Sequence, residues 1–365
     1  MKNFSNIKVL VLILAYSSFA MADHHASSKH DSQVKYISYS QLGNPADVLE
    51  VKTEASSALN SGEVRVKVLA APINPSDLLQ ISGNYGVAAA LPARPGSEGV
   101  GRVTEVSPQV KNLKVGQLVL LAIGSTWAEE IVAPAEGFLP LPNLGTLSAE
   151  VIEQLAMSAV NPLTALLMLT SYGDIEEGQW IVQSAANSAV GGYVIQLAKQ
   201  RGIKTVNIVR REGLADDLMA KGADVVLIDG PNLTAQIAKA TNNASIMLAL
   251  DPVGGDTYGR LANSLGYGGT LVTYGVLSGK PATLDTGKVI FNDTRLRGFW
   301  LYKWYQTATT EEMQAAFGQV IPLIANGTLK ANIDSRYTVD QIKQAVTRAW
   351  EGGRNGKVLI VPNPL

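Results

Sequence analysis

The chain is 365 residues long with a formal net charge of −1, enough for two domains with real cores and without the basic excess that nucleic acid would require. It contains no cysteine, which excludes disulfides, thiolate nucleophiles and cysteine-ligated zinc. Its three histidines, His24, His25 and His30, all precede the start of a folded region near Val34, so no imidazole remains there for a general base, a Ser-His pair or a metal; no metal site is expected.

The first element in chain order resembles an export leader. Lys2 and Lys8 give a positive start, Val9 to Ala15 are apolar, and Ala20-Met21-Ala22 fits the small-residue cleavage rule. This predicts a signal peptide over 1–22, a disordered segment over 23–33 and a periplasmic or otherwise exported protein. The apolar run is short for a spanning helix, so no stable membrane span is expected after signal removal. If the segment is not a functional signal, the protein is cytoplasmic.

From Val34 to about Asn143 the pattern is β-rich. Val64–Leu69 alternates, Gly99–Val106 and Gln117–Ala122 are further strands, and glycines punctuate them as in a small antiparallel barrel. From Ser148 the period changes. Glu150–Val160 and Pro162–Thr170 read as helices, and strands then alternate with helices to Tyr274, the rhythm of a doubly wound parallel sheet. A strand over Leu296–Leu301, helices over Thr310–Asn326 and Val339–Glu351, and a strand over Lys357–Val361 close the chain. The expected fold class is α/β: a barrel domain over 34–150, a Rossmann cofactor domain over 151–295, and a return to the first domain over 296–365. The cleft between two such domains is the default place for substrate.

Within the alternating region, residues 179–211 carry the strongest signal. Trp180–Ala185 is an apolar strand, followed by the small-residue turn Ala186-Asn187-Ser188-Ala189. A helix with apolar spacing then leads to the strand Thr205–Val209 and to Arg210-Arg211. A helix N-terminus behind a turn of small residues favours a diphosphate. Arginines after the second strand suit the 2′-phosphate of NADPH, where an acidic residue would suit NADH. Of the G-x-G-x-x-G fingerprint only Gly191 is in register, so a bare βαβ crossover with solvated arginines is the competing reading.

Six segments together carry a resemblance: LAAPINPSDLLQISGNYG (69–86), GSEGVGRVTEVS (96–107), NPLTA (161–165), QSAANSAVGGYVIQLA (183–198), GGTLVTYG (268–275) and LRGFWL (296–301). The chain after Val34 resembles the zinc-independent medium-chain dehydrogenases/reductases, most closely the mitochondrial-type 2-enoyl thioester reductases. The resemblance implies a GroES-like catalytic domain beside the Rossmann domain, and a catalytic tyrosine at Tyr85. It implies cofactor contacts at Asn161, at Asn187, Ser188, Ala189 and Val190, and at Arg210, Arg211 and Glu212. Further contacts are implied at Tyr274, Gly275, Val276 and Leu277, at Phe299, Trp300, Leu301 and Tyr302, and at Lys357. Relatives are commonly homodimers joined through the edge of the cofactor sheet, for which Leu296–Leu301 is the candidate. The segment after Gly124, Ser125-Thr126-Trp127-Ala128-Glu129, departs from the family's longer loop.

These residues allow a definite chemistry. An enoyl thioester accepts hydride at its β-carbon once its carbonyl is polarised, and the enolate then needs a hydrogen-bond donor and a proton. A phenol, with a reference pKa of about 10, stays protonated at neutral pH and serves either purpose. Tyr85 lies between Gly83 and Gly86, in a loop that could project it; packing under a turn is the alternative. Asn74 and Asp77 are expected to fix that loop, and Glu98 to orient backbone. The leading function is NADPH-dependent reduction of 2-enoyl thioesters in fatty acid metabolism. The alternatives are an NADPH-dependent quinone or enone oxidoreductase and a non-catalytic NADPH-binding protein.

Overall fold

The computed structural model describes residues 32–122 and 124–365. The signal-peptide reading at 1–22 lies outside the described residues, as does the 23–33 segment up to residue 31. The chain divides into two compact units. The first comprises the described residues up to Ala159, with Thr309–Gln314 and Asn332–Leu365; the second comprises Val160–Ala308 and Ala315–Ala331.

The first unit opens with β1 (Gln33–Ser38), α1 (Pro45–Val48) and β2 (Glu50–Ala55), the two strands pairing antiparallel. β3 (Glu63–Pro72) follows. Its β-branched residues Val64, Val66 and Val68 are fully buried. Two prolines end it and open the next element: Pro72 closes β3, and Pro75 starts α2 (Pro75–Ile81), where its missing N–H and fixed φ cost nothing. β4 (Gly99–Val106), β5 (Leu118–Leu121), β6 (Glu130–Pro134), β7 (Phe138–Pro140) and α3 (Ala149–Ala156) complete this stretch.

β3 is the centre of the sheet. β4 pairs along one edge, and β6 pairs with the N-terminal half of the other. Only Lys67 among Val64–Leu69 is exposed, so the expected alternation gives way to a strand buried on both faces. α3 packs on it, and its other side lines the core that includes Ile37, Leu49, Ile81 and Trp127.

The second unit begins with α4 (Asn161–Ser171). Six parallel strands and their crossovers follow in chain order. They are β8 (Trp180–Gln183), α5 (Ala189–Gln200), β9 (Lys204–Val209), α6 (Ala215–Lys221), β10 (Val225–Ile228), α7 (Leu233–Ala240), β11 (Ile246–Asp251), α8 (Gly255–Ala262), β12 (Thr270–Thr273), α9 (Thr286–Phe291) and β13 (Arg295–Gly298). Spatial order is β10-β9-β8-β11-β12-β13, so the winding reverses between β8 and β11. One face buries Val206, Leu233, Ile237 and Leu261; the other buries Ile195, Val209 and Leu218. A sheet covered on both faces explains why these strands read as continuous apolar runs.

The last strand departs from its sequence reading. Leu296–Leu301 is not one strand: β13 stops at Gly298, and α10 (Leu301–Thr307) follows with Trp300 at its N-cap. The reason is the partner. β12 ends at Thr273, whose carbonyl accepts the last ladder bond, from Phe299 N–H at 2.9 Å, so no strand remains to pair with. Because β13 extends the parallel sheet, the second unit retains 296–308, and the return to the first unit comes later than 296.

α11 (Thr310–Ala325), β14 (Ile333–Tyr337), α12 (Ile342–Trp350) and β15 (Lys357–Ile360) end the chain. α12 buries Ile342, Ala345, Val346 and Ala349, one stripe at helical spacing. β15 takes the C-terminal half of the free edge of β3, pairing Leu359 and Ile360 with Pro72 and Ala71, and β14 joins it in parallel.

β3 and β4 approach closely at Gly101. A Cβ there would lie 2.3 Å from Val66 Cγ1 and 2.8 Å from the Lys67 carbonyl oxygen. Gly101→Ala is therefore expected to destabilise the first unit by about 1–3 kcal/mol, read from chemical denaturation midpoints at unchanged slope.

Candidate active site

The ends of five parallel strands, β8, β9, β11, β12 and β13, form the candidate site in the second unit. After β8 the chain turns through Ser184 to Ser188, with Ala185 at φ 48°. Ser188 caps α5, its Oγ accepting from Gly191 N–H at 3.1 Å. Gly191 packs directly on the turn: a Cβ would stand 2.5 Å from the Ala186 carbonyl oxygen and 2.7 Å from its Cα. This is the close helix-to-strand approach for which the third glycine of a dinucleotide fingerprint serves. Asn187 is exposed, and Ala189 and Val190 are half-buried at the helix start. Beneath the turn, the Gln183 side-chain amide donates to the Gly191 carbonyl at 3.0 Å and to Asn207 Oδ1 at 2.8 Å. That links β8, α5 and β9 in the interior.

β9 ends at Val209, and Arg210, Arg211 and Glu212 follow in exposed loop. Among the described residues neither arginine makes a hydrogen bond or ion pair. Two cations held at a strand end without protein anions fit a phosphate ligand. With the small-residue turn and the open α5 N-terminus, the residues present suit a phosphorylated dinucleotide.

At the end of β12, Tyr274 directs its hydroxyl toward Ser188, where it is buried without a well-formed hydrogen bond. Burial, with the nearby Asp251 charge, pushes that phenol well up. Gly275 abuts Pro252, where a Cβ would meet the proline carbonyl oxygen at 2.9 Å, and Val276 and Leu277 are exposed. At the end of β13, Phe299 stacks edge-on to Tyr172, and Trp300 lies 5.0 Å from Tyr302, ring centre to ring centre. Leu301 opens α10, and Asn161 is the buried first residue of α4.

Sequence reasoning passed over Asp251. It is fully buried at the end of β11 and accepts from the Ser184 hydroxyl, from Gly254 N–H at 2.7 Å and from Val253 N–H at 3.2 Å. Burial raises its pKa, against those hydrogen bonds. The available signal was an aspartate closing an otherwise apolar strand before Pro252. Ser184, read as a strand end, is a partner of this carboxylate.

In the first unit, Tyr85 is half-buried in the loop after α2. That loop is tied to the helix by Gly83 N–H to the Gln80 carbonyl at 3.1 Å and by Asn84 N–H to the Leu79 carbonyl at 2.8 Å. The α2 start is a buried polar cluster. Asp77 accepts from Asn74 N–H at 2.8 Å, half of a capping box. Asn74 Nδ2 donates to Glu98 Oε1 at 2.9 Å, and Glu98 Oε2 accepts from Ala159 N–H at 2.9 Å. Lys357, anticipated as a cofactor contact, is 6% exposed and donates to Asn74 Oδ1 at 2.5 Å. Burial pulls its ammonium down to about 8, although the Glu98 and Asp77 charges oppose this. Burial likewise lifts Asp77 to about 6. Among the described residues no group of three or more His, Cys, Asp or Glu is placed to hold a metal ion, and no single helix is long and apolar enough to cross a membrane.

Gly191→Ala tests the turn. Alanine gains about 1 kcal/mol in helix propensity, but the clashing atoms are backbone and cannot rotate away. Net destabilisation of about 1–2 kcal/mol is expected, with weaker NADPH binding, measured by thermal denaturation with and without the dinucleotide.

Residues 60–143 match the alcohol dehydrogenase GroES-like domain family, and residues 189–320 match the family described as zinc-binding dehydrogenase. Neither stretch contains Cys or His, so thiolate or imidazole zinc ligands do not exist in them. The mitochondrial enoyl-[acyl-carrier-protein] reductase of Rattus norvegicus is 35% identical over 339 residues, 91% of this chain and 87% of its own. The structure of Etr1p with NADP and crotonyl-CoA is 28% identical with a TM-score of 0.82, over 90% of this chain and 100% of that one. A Bacillus thuringiensis protein assigned as an NADPH:quinone reductase is 29% identical with a TM-score of 0.81, over 91% of this chain and 100% of its own.

These relatives correct the expectation of export. The rat protein and its Homo sapiens and Dictyostelium discoideum counterparts are mitochondrial enzymes, which counts against a periplasmic or exported setting. A short basic and apolar leader is a property of composition, and composition separates targeting sequences poorly. With both domain families in order and this identity across nine-tenths of its length, the chain belongs to the medium-chain dehydrogenase/reductase superfamily and, within it, to the family of mitochondrial-type enoyl thioester reductases.

Proposed function

We propose that the protein reduces the C2=C3 double bond of 2-enoyl thioesters with NADPH. The observation that carries the cofactor reading is the capped turn at Ser188, closed by Gly191 on Ala186, together with the unpartnered Arg210 and Arg211 at the end of β9. The substrate reading rests on kinship with enoyl reductases. Asn187, Ser188, Ala189 and Val190 would hold the diphosphate through backbone N–H groups at the start of α5. Arg210 and Arg211 would take the 2′-phosphate, with Glu212 beside them. Tyr274 to Leu277, Phe299 to Tyr302, Asn161 and Lys357 complete the proposed cofactor surroundings.

NADPH, when bound, supplies a hydride for the substrate β-carbon. The chain's own residues then have two duties: donating a hydrogen bond to the thioester oxygen as the enolate develops, and delivering a proton to the α-carbon. The Tyr85 phenol is the proposed group. It needs no imidazole relay, which suits a chain whose histidines all precede residue 31. The exposed edge strand β13 and the aromatic residues after it are the proposed homodimer contact.

Tyr85→Phe is expected to lower kcat on crotonyl-CoA by about 10²-fold, within the range for a positioned proton donor, with NADPH affinity within about twofold of wild type. An unchanged rate would remove Tyr85 from the mechanism. The quinone reductase neighbour supports a second reading, which wild-type turnover of a small quinone without thioester turnover would favour. Arg210→Ala and Arg211→Ala should each weaken NADPH by about 1.5–3 kcal/mol, the worth of a charged hydrogen bond, while leaving NADH nearly unaffected; titration of both dinucleotides checks this.

A further inference from the structure

The interior beneath the phosphate turn holds two polar side chains where apolar ones would pack. Gln183 and Asn207 are both fully buried and sit opposite each other in the ladder of β8 and β9. Each amide has one admissible orientation. A carbonyl only accepts, so the Val225 carbonyl, 3.1 Å from Asn207 Nδ2, turns Oδ1 of Asn207 toward Gln183. The Gly191 carbonyl fixes Gln183 in the same way, and Gln183 Nε2 serves both acceptors. A line of hydrogen bonds thus runs from the first turn of α5 through β8 and β9 to the start of β10.

Stability alone explains this arrangement poorly. It leaves Gln183 Oε1 buried with no hydrogen-bond partner among the described residues, a penalty that an apolar side chain would not carry. What the pair does supply is a fixed relation between two places. Gly191 lies on the first turn of α5, the helix proposed to receive the diphosphate, and Asn207 lies on β9 just before Arg210 and Arg211. NADPH must reach both places at once, because its diphosphate and its 2′-phosphate belong to one molecule. NADH has no 2′-phosphate and needs only the first. The turn itself is held separately, by the Ser188 cap and the contact of Gly191 with Ala186.

We infer that Gln183 and Asn207 form a positioning pair that sets the end of β9 relative to the phosphate turn, and through that spacing strengthens the binding of NADPH without strengthening that of NADH. This rests on the reading of Arg210 and Arg211 as the 2′-phosphate site.

The test uses the full chain with Gln183→Met, an apolar side chain of similar length, and with Asn207→Leu should the first variant fold poorly. Fluorescence titration should show the NADPH Kd raised about tenfold and the NADH Kd within about twofold of wild type, so that the ratio of the two moves. With Arg210→Ala and Arg211→Ala already in place, Gln183→Met should change the NADPH Kd by less than about twofold. In the dinucleotide-free protein, amide hydrogen exchange across residues 206–209 should quicken while exchange in β12 stays unchanged. Equal weakening of both dinucleotides would overturn the proposal, because a pair that merely props up the turn acts on the diphosphate they share. So would an unchanged NADPH Kd in a folded variant, full additivity with the arginine substitutions, or unchanged exchange at 206–209. If the arginine substitutions alone leave NADPH affinity unchanged while exchange responds as expected, the 2′-phosphate reading fails and the mechanical link between the turn and β9 stands.

Discussion

In the second unit two backbones meet where only hydrogen fits between them. Gly191, on the first turn of α5, stands so close to Ala186 that a methyl group would overlap its carbonyl. That contact sets the height of α5 over the turn after β8, and with it the direction of the helix N-terminus. Ser188 caps the helix in this position, and Gln183 fastens the same turn from below to Asn207 on β9. The alignment of β9 then fixes where Arg210 and Arg211 emerge. The turn, the cap and the two cations are thus consequences of one steric constraint. All lie at the C-terminal ends of parallel strands beside the reversal of winding between β8 and β11, where ligands bind in open α/β sheets.

The first unit solves a different problem, that of burying charge. The loop that carries Tyr85 is tied to α2 by the backbone bonds of Gly83 and Asn84. The start of α2 is anchored by side chains that water cannot reach. Burial makes each charge there costly, which is why Asp77 is lifted toward 6 and Lys357 lowered toward 8. The same burial makes the hydrogen bonds between them stiff, because no competing water can exchange into the cluster. Electrostatic cost and geometric definition have one origin.

Much of this was legible in the sequence because it depends on local periodicity and on absences. The alternation of apolar strands and amphipathic helices from Trp180 to Tyr274 identifies a parallel sheet, and the turn from Ala186 to Ala189 identifies its phosphate end. What stayed illegible was non-local. β14 is a short strand of mixed polarity that pairs only because β15 lies beside β3, where Leu359 and Ile360 meet Pro72 and Ala71, 287 and 289 residues away in sequence. The stretch 296–301 looked like one strand because Phe299 and Trp300 have strand propensity, but a strand needs a partner and β12 had ended. Asp251 and Asn207 read as ordinary polar residues until burial turned them into obligatory hydrogen-bonding groups.

Composition by itself determined the kind of chemistry open to the folded chain. With no cysteine, and no histidine after residue 30, proton transfer falls to groups such as a phenol and the redox step to a bound cofactor. Sequence likewise determined the class of each unit, since periods of two and 3.6 are local properties of backbone geometry. Only the tertiary structure decided which polar residues share a site. Lys357 is an unremarkable lysine before a final strand until β15 docks on β3 and brings its ammonium to Asn74, 283 residues away. Such a contact depends on which backbones lie side by side, and that is settled by burial of the whole apolar surface rather than by any neighbouring residue.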